Sequence, residues 1–330
     1  ELKDKLAKVT VDRNNLKHRL DKLEKEFEER LEEKVNKAVN EAIEKVTSKN
    51  NNKVIIANWK MNKKFEDIKA YAYVFNKLLK RDKFLAKTKT LIGVAPTMLG
   101  MLPAAAMLKN NVVVVAQHVH YEKSGAFTGN VSYDQIHEYN INYSLIGHSE
   151  TRSMMNVTEG QINKTIKVML ENQMVPVLCI GETLEQYEAK QTGKTISLQI
   201  MNALKGVSSE NAKKVIIAYE PIWAIGAQTA TVPVIKSVID KIRECLSDMY
   251  DEQTAKEVHV LYGGSVKSSN ANEILSISGV DGVLVGGAGL LPEEFYKICI
   301  ASPEYSEVKK IILTKNGTKP LPSPKEAKTK

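Results

Sequence analysis

Three side chains with the makings of a reaction follow three separate short apolar runs: a carboxylate at Glu220, an imidazole at His148 and an ammonium at Lys60. Glu220 comes after Lys214 to Tyr219 and is followed at once by Pro221, which stiffens the chain where it leaves the run. Its neighbours Tyr219 and Trp223 would make its surroundings apolar and raise its pKa toward that of a useful base. His148 stands where a run meets a helix start, and the positive end of that helix disfavours an imidazolium. Lys60 lies two residues beyond Asn58, so both side chains leave a strand end on the same side. Two glycine pairs, Gly263-Gly264 and Gly286-Gly287, follow the last two runs, where backbone N–H groups and a helix N-terminus commonly hold phosphate. A base, a neutral imidazole, an ammonium and a phosphate cradle together describe proton abstraction next to the carbonyl of a phosphorylated substrate. No metal or cofactor is expected. His118 and His120 form an H-x-H pair, but no carboxylate or cysteine spacing completes a zinc set.

These residues need a scaffold that brings eight run-ends to one rim. From Lys53 onward, short β-branched runs alternate with helix-length amphipathic segments, the rhythm of a parallel sheet. The runs are Val54 to Ala57, Thr90 to Ala95, Val112 to Ala116, Tyr143 to Ile146, Val175 to Cys179, Lys214 to Tyr219, Glu257 to Leu261 and Gly282 to Val285. They are continuously apolar, as strands buried on both faces are. Eight β/α units in roughly 250 residues predict an α/β fold, a closed (β/α)8 barrel with its chemistry at the C-terminal strand ends.

The first 48 residues read differently. Leu2, Leu6, Val9, Leu16, Leu20, Leu23 and Phe27 keep a 4,3 alternation broken only at Arg13, which predicts a long helix with a coiled-coil seam. After Phe27 two successive four-residue steps, to Leu31 and Val35, interrupt the heptad like a stutter before Val39, Ala42 and Val46. Self-association is preferred over a lone amphipathic helix folded on the following domain. Ser48 to Asn52 has linker composition. The expected organisation is therefore a coiled-coil helix over 1–48, the barrel over 49–303, and a basic, proline-containing tail over 304–330, mostly disordered, with order lost past about Thr314.

Composition narrows the class. A hydrophobic share of 43% with 26% charged residues suits a core-forming soluble chain, and no run nears the length of a membrane span. The N-terminus is heptad-like and charged rather than carrying an apolar leader, so a cytoplasmic location is expected; three widely spaced cysteines, Cys179, Cys245 and Cys299, fit neither a disulfide framework nor a CxxC site and are expected to be buried and reduced. The net charge of +8 comes from scattered lysines without a basic, aromatic-interleaved stripe. Neither nucleic acid nor membrane is expected as a partner.

Along Lys53 to Ala301 the chain resembles the triosephosphate isomerase family. The segments that carry the resemblance are Asn58-Trp59-Lys60-Met61-Asn62, Gly147-His148-Ser149-Glu150, Ala218 to Gly226 and Tyr262-Gly263-Gly264-Ser265-Val266, in the family's order. The resemblance implies interconversion of dihydroxyacetone phosphate and glyceraldehyde 3-phosphate through an enediolate. By it, Glu220 carries the proton, His148 polarises the carbonyl, and Lys60 with Asn58 stabilises developing charge. Glu150 matches a further buried glutamate beside them, and Ser149 the residue that holds the base in its open position. Gly226, Ser265, Gly286 and Gly287 would hold the phosphate. Pro221, Ile222, Trp223, Ala224, Ile225, Gly226, Ala227 and Gln228 would form a mobile lid, latched by Tyr262 and Ser265. The loop Gln117 to Ser132 resembles the family's dimer loop, with Thr128 reaching the neighbouring subunit of a homodimer.

The sequence departs from the family pattern at four places. The lid, Gly226-Ala227-Gln228-Thr229, looks one residue short. Asn130 and Thr151 stand where a glutamate and an arginine usually pair across the dimer, and Val157 replaces an acidic residue nearby. Losing both partners leaves no orphan charge. The added helix could compensate by raising effective concentration, a higher assembly through residues 1–48. The competing readings are a scaffold that reuses the barrel with little or no isomerase activity, and another phosphosugar barrel enzyme with a similar cradle.

Overall fold

The computed structural model describes residues 2–47, 52–225 and 230–315. Linker residues 48–51, lid residues Gly226, Ala227 and Gln228, and the stretch 316–330 lie outside the described residues. The chain divides into two units: residues up to Val46 together with those from Glu307 on, and Thr47–Ser306.

In the second unit eight parallel strands close into a barrel in sequence order. They are β1 Val54–Asn58, β2 Leu91–Ala95, β3 Val113–Ala116, β4 Tyr143–Ile146, β5 Val175–Ile180, β6 Ile216–Tyr219, β7 His259–Tyr262 and β8 Gly282–Val285. Each sequence-predicted run coincides with one of them to within two residues at either end. The ring closes where Val54 pairs with Gly282. Only glycine fits there, because a Cβ at position 282 would sit 1.8 Å from the Val54 carbonyl oxygen.

The two faces of the strands pack differently. Val54 and Ile56, Val177 and Cys179, Ile216 and Ala218, Leu261, and Leu284 belong to a small cluster that fills the barrel. Ile55, Ala57, Leu178, Ile180, Ile217 and Val283 join the larger layer between strands and helices. Side chains alternate along a strand, so Asn58 and Lys60 continue the inward row of β1, Glu220 that of β6, Gly263 that of β7 and Gly286 that of β8. The helices bury the matching stripes. Phe65–Arg81 presents Ile68, Tyr71, Ala72, Phe75 and Leu79 at three- and four-residue spacing. Glu159–Glu171 starts at Thr158, whose hydroxyl accepts from Gln161 N–H while the Gln161 side chain accepts from Thr158 N–H at 2.8 Å.

Burial also fixes the state of the thiols. Cys179 and Cys299 are fully enclosed, and burial pushes both well above the ordinary cysteine range. Above pH 9 the unfolded chain ionises these thiols while the folded chain keeps their protons, so the folded state binds more protons and loses stability as pH rises. Cys299→Ala removes one such group. Its stability deficit relative to the parent, from urea unfolding, is expected to shrink by about 2 kcal/mol between pH 8 and pH 10.5.

In the first unit, helix Leu2–Val46 runs 45 residues. Seen down its axis, the apolar stripe turns by roughly 120° between Phe27 and Val39, the effect of the consecutive four-residue steps in a 3.6-residue helix. Residues 307–315 belong to a second helix, Pro303–Lys315. Val35, Val39 and Ala42 border one groove with Ile311 and Thr314 of that helix, and Lys315 Nζ donates to Asn36 Oδ1. Residues 304–315, counted with the tail in the sequence reading, are thus helical, with Tyr305, Val308, Ile311 and Ile312 at helical spacing. Among the described residues no helix is long and apolar enough to cross a membrane.

Candidate active site

The inward rows end in a pocket of about 520 Å³ at the C-terminal mouth of the barrel, lined by Asn58, Lys60, His148, Glu220 and Ser265 among others. Lys60 adopts a left-handed backbone, φ 51, a conformation that costs a non-glycine residue energy and is found where a site requires it. Asn58 Oδ1 accepts from Lys60 N–H at 2.9 Å, and Lys60 O accepts from the Gln117 amide at 2.8 Å. The Lys60 ammonium is then held 2.6 Å from Glu150 Oε1.

His148 is the N-cap of helix Ser149–Met154. Its Nδ1 accepts from Glu150 N–H at 3.2 Å, which requires Nδ1 to carry no proton and puts the proton of a neutral ring on Nε2. Nε2 lies 3.0 Å from Glu220 Oε1, and Ser149 N–H donates to Glu220 Oε2 at 3.4 Å. Ser149 therefore meets the carboxylate through its backbone. Burial pushes the imidazolium down, but the charge and hydrogen bond of Glu220, with the charge of Glu150, outweigh both burial and Lys60, and the net direction is up. The depressing helix end expected from the sequence is overridden while Glu220 faces the ring. The Nδ1 hydrogen bond still marks the neutral tautomer as the one this backbone is built around.

Gly147 sets the ring's position. It takes φ +69, and a Cβ there would come 2.7 Å from Ile162 Cδ1 and 2.9 Å from an Arg152 nitrogen. Arg152 fastens the loop: Nε donates to Gly147 O at 2.6 Å, one terminal nitrogen donates to Cys179 O at 3.2 Å, and the other pairs with Glu159. Thr151, unusual for the pattern, donates its hydroxyl to His148 O at 2.8 Å.

The glycines differ in what surrounds them. A Cβ at Gly286 or Gly287 would meet nothing within 4 Å, so both face open space beside Ser265 in the pocket. Gly263 is the opposite: a Cβ would lie 2.9 Å from Glu220 Cγ and 3.3 Å from Tyr219 O, with the backbone fixed by Gly263 N–H donating to Tyr219 O at 2.7 Å. Gly263→Ala is expected to push the carboxylate out of place and cost about 10²-fold in kcat/KM, with a melting temperature close to the parent's. A coupled assay and a thermal melt on one preparation check both.

The described part of the expected lid, Pro221 to Ile225, contains a single 3-10 turn, Ile222–Ala224. It is tied down by Glu182, which sequence reasoning missed. This fully buried carboxylate accepts at Oε1 from Trp223 Nε1 at 2.9 Å and from the Tyr219 hydroxyl at 3.1 Å, and Ile222 N–H donates to its carbonyl at 3.2 Å. Tyr187 stacks on Trp223 at 4.2 Å. Gln117 and Arg152 were missed as well. The signal for Gln117 was its parity, two residues past Val115 on the inward row; for Glu182 it was its place just beyond β5; for Arg152 there was none without the fold.

Thr128 stays away from the pocket, exposed on the loop after β3. In that loop His120 stacks against Tyr121 and Phe127, and His120 Nδ1 accepts from Glu122 N–H at 3.0 Å. Among the described residues no group of three or more His, Cys, Asp or Glu side chains could hold a metal ion.

A model of the triosephosphate isomerase family matches residues 53–302. The chain is 41% identical over 244 residues to a triosephosphate isomerase of Mycoplasma capricolum, covering 74% of this chain and 96% of that relative. It is 42% identical over 249 residues to that of Malacoplasma penetrans, covering 74% and 97%. For that of Clostridium beijerinckii the identity is 39% over 248 residues, again covering 74% and 97%.

Proposed function

The chain belongs to the triosephosphate isomerase family and interconverts dihydroxyacetone phosphate and glyceraldehyde 3-phosphate, and from that premise we propose that Glu220 is the base that moves the proton. The observation that carries this reading is the contact between Glu220 Oε1 and His148 Nε2, 3.0 Å apart and both buried at the barrel mouth. In this structure the imidazole N–H occupies the carboxylate. A substrate carbonyl that takes over that N–H frees Glu220 to accept a proton from the adjacent carbon, and an enediolate results. Lys60 and Asn58 stabilise the charge that develops on the substrate oxygens. Glu150 holds the lysine, and the Ser149 N–H steadies Glu220 between turnovers.

The phosphate is held by Ser265 and Gly226 together with Gly286 and Gly287, where the lack of a side chain leaves the room it needs. Residues Pro221 to Gln228 act as the lid, Tyr262 and Ser265 latch it, and the Glu182–Trp223 contact secures its first turn. Shielding the enediolate from water suppresses loss of phosphate from it. The chain works in the cytoplasm as a homodimer through the loop Gln117 to Ser132, with Thr128 at the partner's site. Domain limits of 1–48, 49–303 and 304–330 go with this reading, residues 1–48 acting as a self-associating coiled coil; the support is the exposure of Leu16, Leu23, Phe27 and Leu31 on helix Leu2–Val46.

The test is isomerisation in D2O. A single base that exchanges with solvent puts deuterium on the carbon that receives the proton, and fast turnover with incorporation is expected. A folded chain that leaves glyceraldehyde 3-phosphate unchanged overturns the assignment.

A further inference from the structure

The described side chains of helix Leu2–Val46 differ along its length. From Val35 onward its apolar stripe borders residues 307–315, whereas Leu16, Leu23, Phe27 and Leu31 are 65, 62, 67 and 51% exposed. A helix draws most of its stability from packing an apolar face, so four large apolar side chains in a row require a partner. Residues 316–330 do not supply one. After Lys315 the sequence has a single large apolar residue, Leu321, set between Pro320 and Pro322.

Charge identifies the occupant. Residues 15–22 carry Lys17, Arg19 and Lys22 against Asp21, while residues 24–33 carry six glutamates against Lys25 and Arg30. With Leu16 and Leu23 at d positions, Lys17 and Glu24 fall at e, Arg19 and Glu26 at g, and Phe27 at a. In an antiparallel pair e meets e and g meets g. We propose that this segment pairs antiparallel with the same segment of a second copy of the chain, centred between Asp21 and Lys22. The proposal rests on the coiled-coil reading of residues 1–48.

That register places Leu16 against Phe27 of the second copy and position 20 against Leu23, closing the seam twice over by symmetry. It sets Lys17 beside Glu24 and Arg19 beside Glu26 of the second copy. A parallel, in-register pair would lay the basic stretch along itself and the acidic stretch along itself, keeping the g–e contact of Arg19 with Glu24. Exposed pairs of this kind add little strength; they choose orientation and partner.

Cysteine trapping in the full chain tests it. Leu16→Cys, Phe27→Cys and the double variant are oxidised mildly and run on a non-reducing denaturing gel. The native cysteines are buried, and positions 16 and 27 on one helix are about 16 Å apart, too far to bridge within a chain. The double variant is expected to give at least ten times more covalent dimer than either single variant, with parental isomerisation rates showing that the barrels are folded. Single variants that cross-link as well as the double overturn the antiparallel arrangement, and a double variant that stays monomeric on the gel overturns the pairing. The mass of Leu23→Asp in solution separates the two layers: unchanged, it removes the coiled-coil reading itself; lowered, it leaves that reading standing whatever the cysteines report.

Discussion

Glu220→Gln is expected to lower kcat by about 10⁴-fold while leaving KM within a few-fold of the parent. The amide keeps the size and hydrogen-bonding reach of the carboxylate but cannot accept the carbon-bound proton, and a positioned base contributes roughly 10²–10⁴-fold. Glu220→Asp is the informative companion. It keeps the charge but withdraws it by one methylene, a shift of about 1 Å, and a misplacement of that order can cost about 10²-fold. A coupled assay on both variants, with a thermal melt of each, gives the comparison. Two equally inactive variants mean that placement matters as much as basicity; a Gln variant as fast as the parent would remove Glu220 from the role of base.

The second large effect belongs to Lys60. Lys60→Gln removes the cation that faces the developing enediolate and leaves Glu150, its 2.6 Å partner, without it. Loss of one preorganised electrostatic contact is typically worth about 10²–10³-fold in kcat, and here the released glutamate adds a negative charge beside an anionic substrate. KM is therefore expected to rise as well. Lys60→Gln combined with Glu150→Gln should recover part of the KM rise and none of the kcat loss. The pattern in kcat and KM of the single and double variants checks this. Recovery of kcat in the double variant would show that the lysine acts only by neutralising Glu150.

The barrel was legible because its strands are runs of Val, Ile and Leu and its helices carry apolar residues at three- and four-residue spacing. Every run found by that rule overlaps a strand. The site was legible where a residue followed a strand on its inward parity, as Asn58, Lys60 and Glu220 do. His148 breaks parity. Gly147 turns the chain at φ +69 before it, and its place was readable only from the Gly-His-Ser-Glu segment. Contacts that join distant stretches left no local trace. Arg152 reaching Cys179 O and Gln117 reaching Lys60 O are products of closure, and a one-dimensional pattern does not record which loops become neighbours. The same limit applied after Ser302, where lysines and prolines suggested a tail, although the apolar spacing from Tyr305 to Ile312 already had a helical period.

The contact between β1 and β8 governs how the chain comes off the ribosome. Lys53 donates to Val280 O across 227 residues, and Val54 waits for Gly282. While the intervening strands are being made, β1 keeps one edge unpaired, with its N–H and C=O groups open to any other strand, an invitation to aggregate. Closure requires joining the two ends of a long loop, a slow kind of step. Synthesis halted before residue 282 should therefore yield a sticky, protease-sensitive product, and the last strand to be translated is the one that covers the open edge.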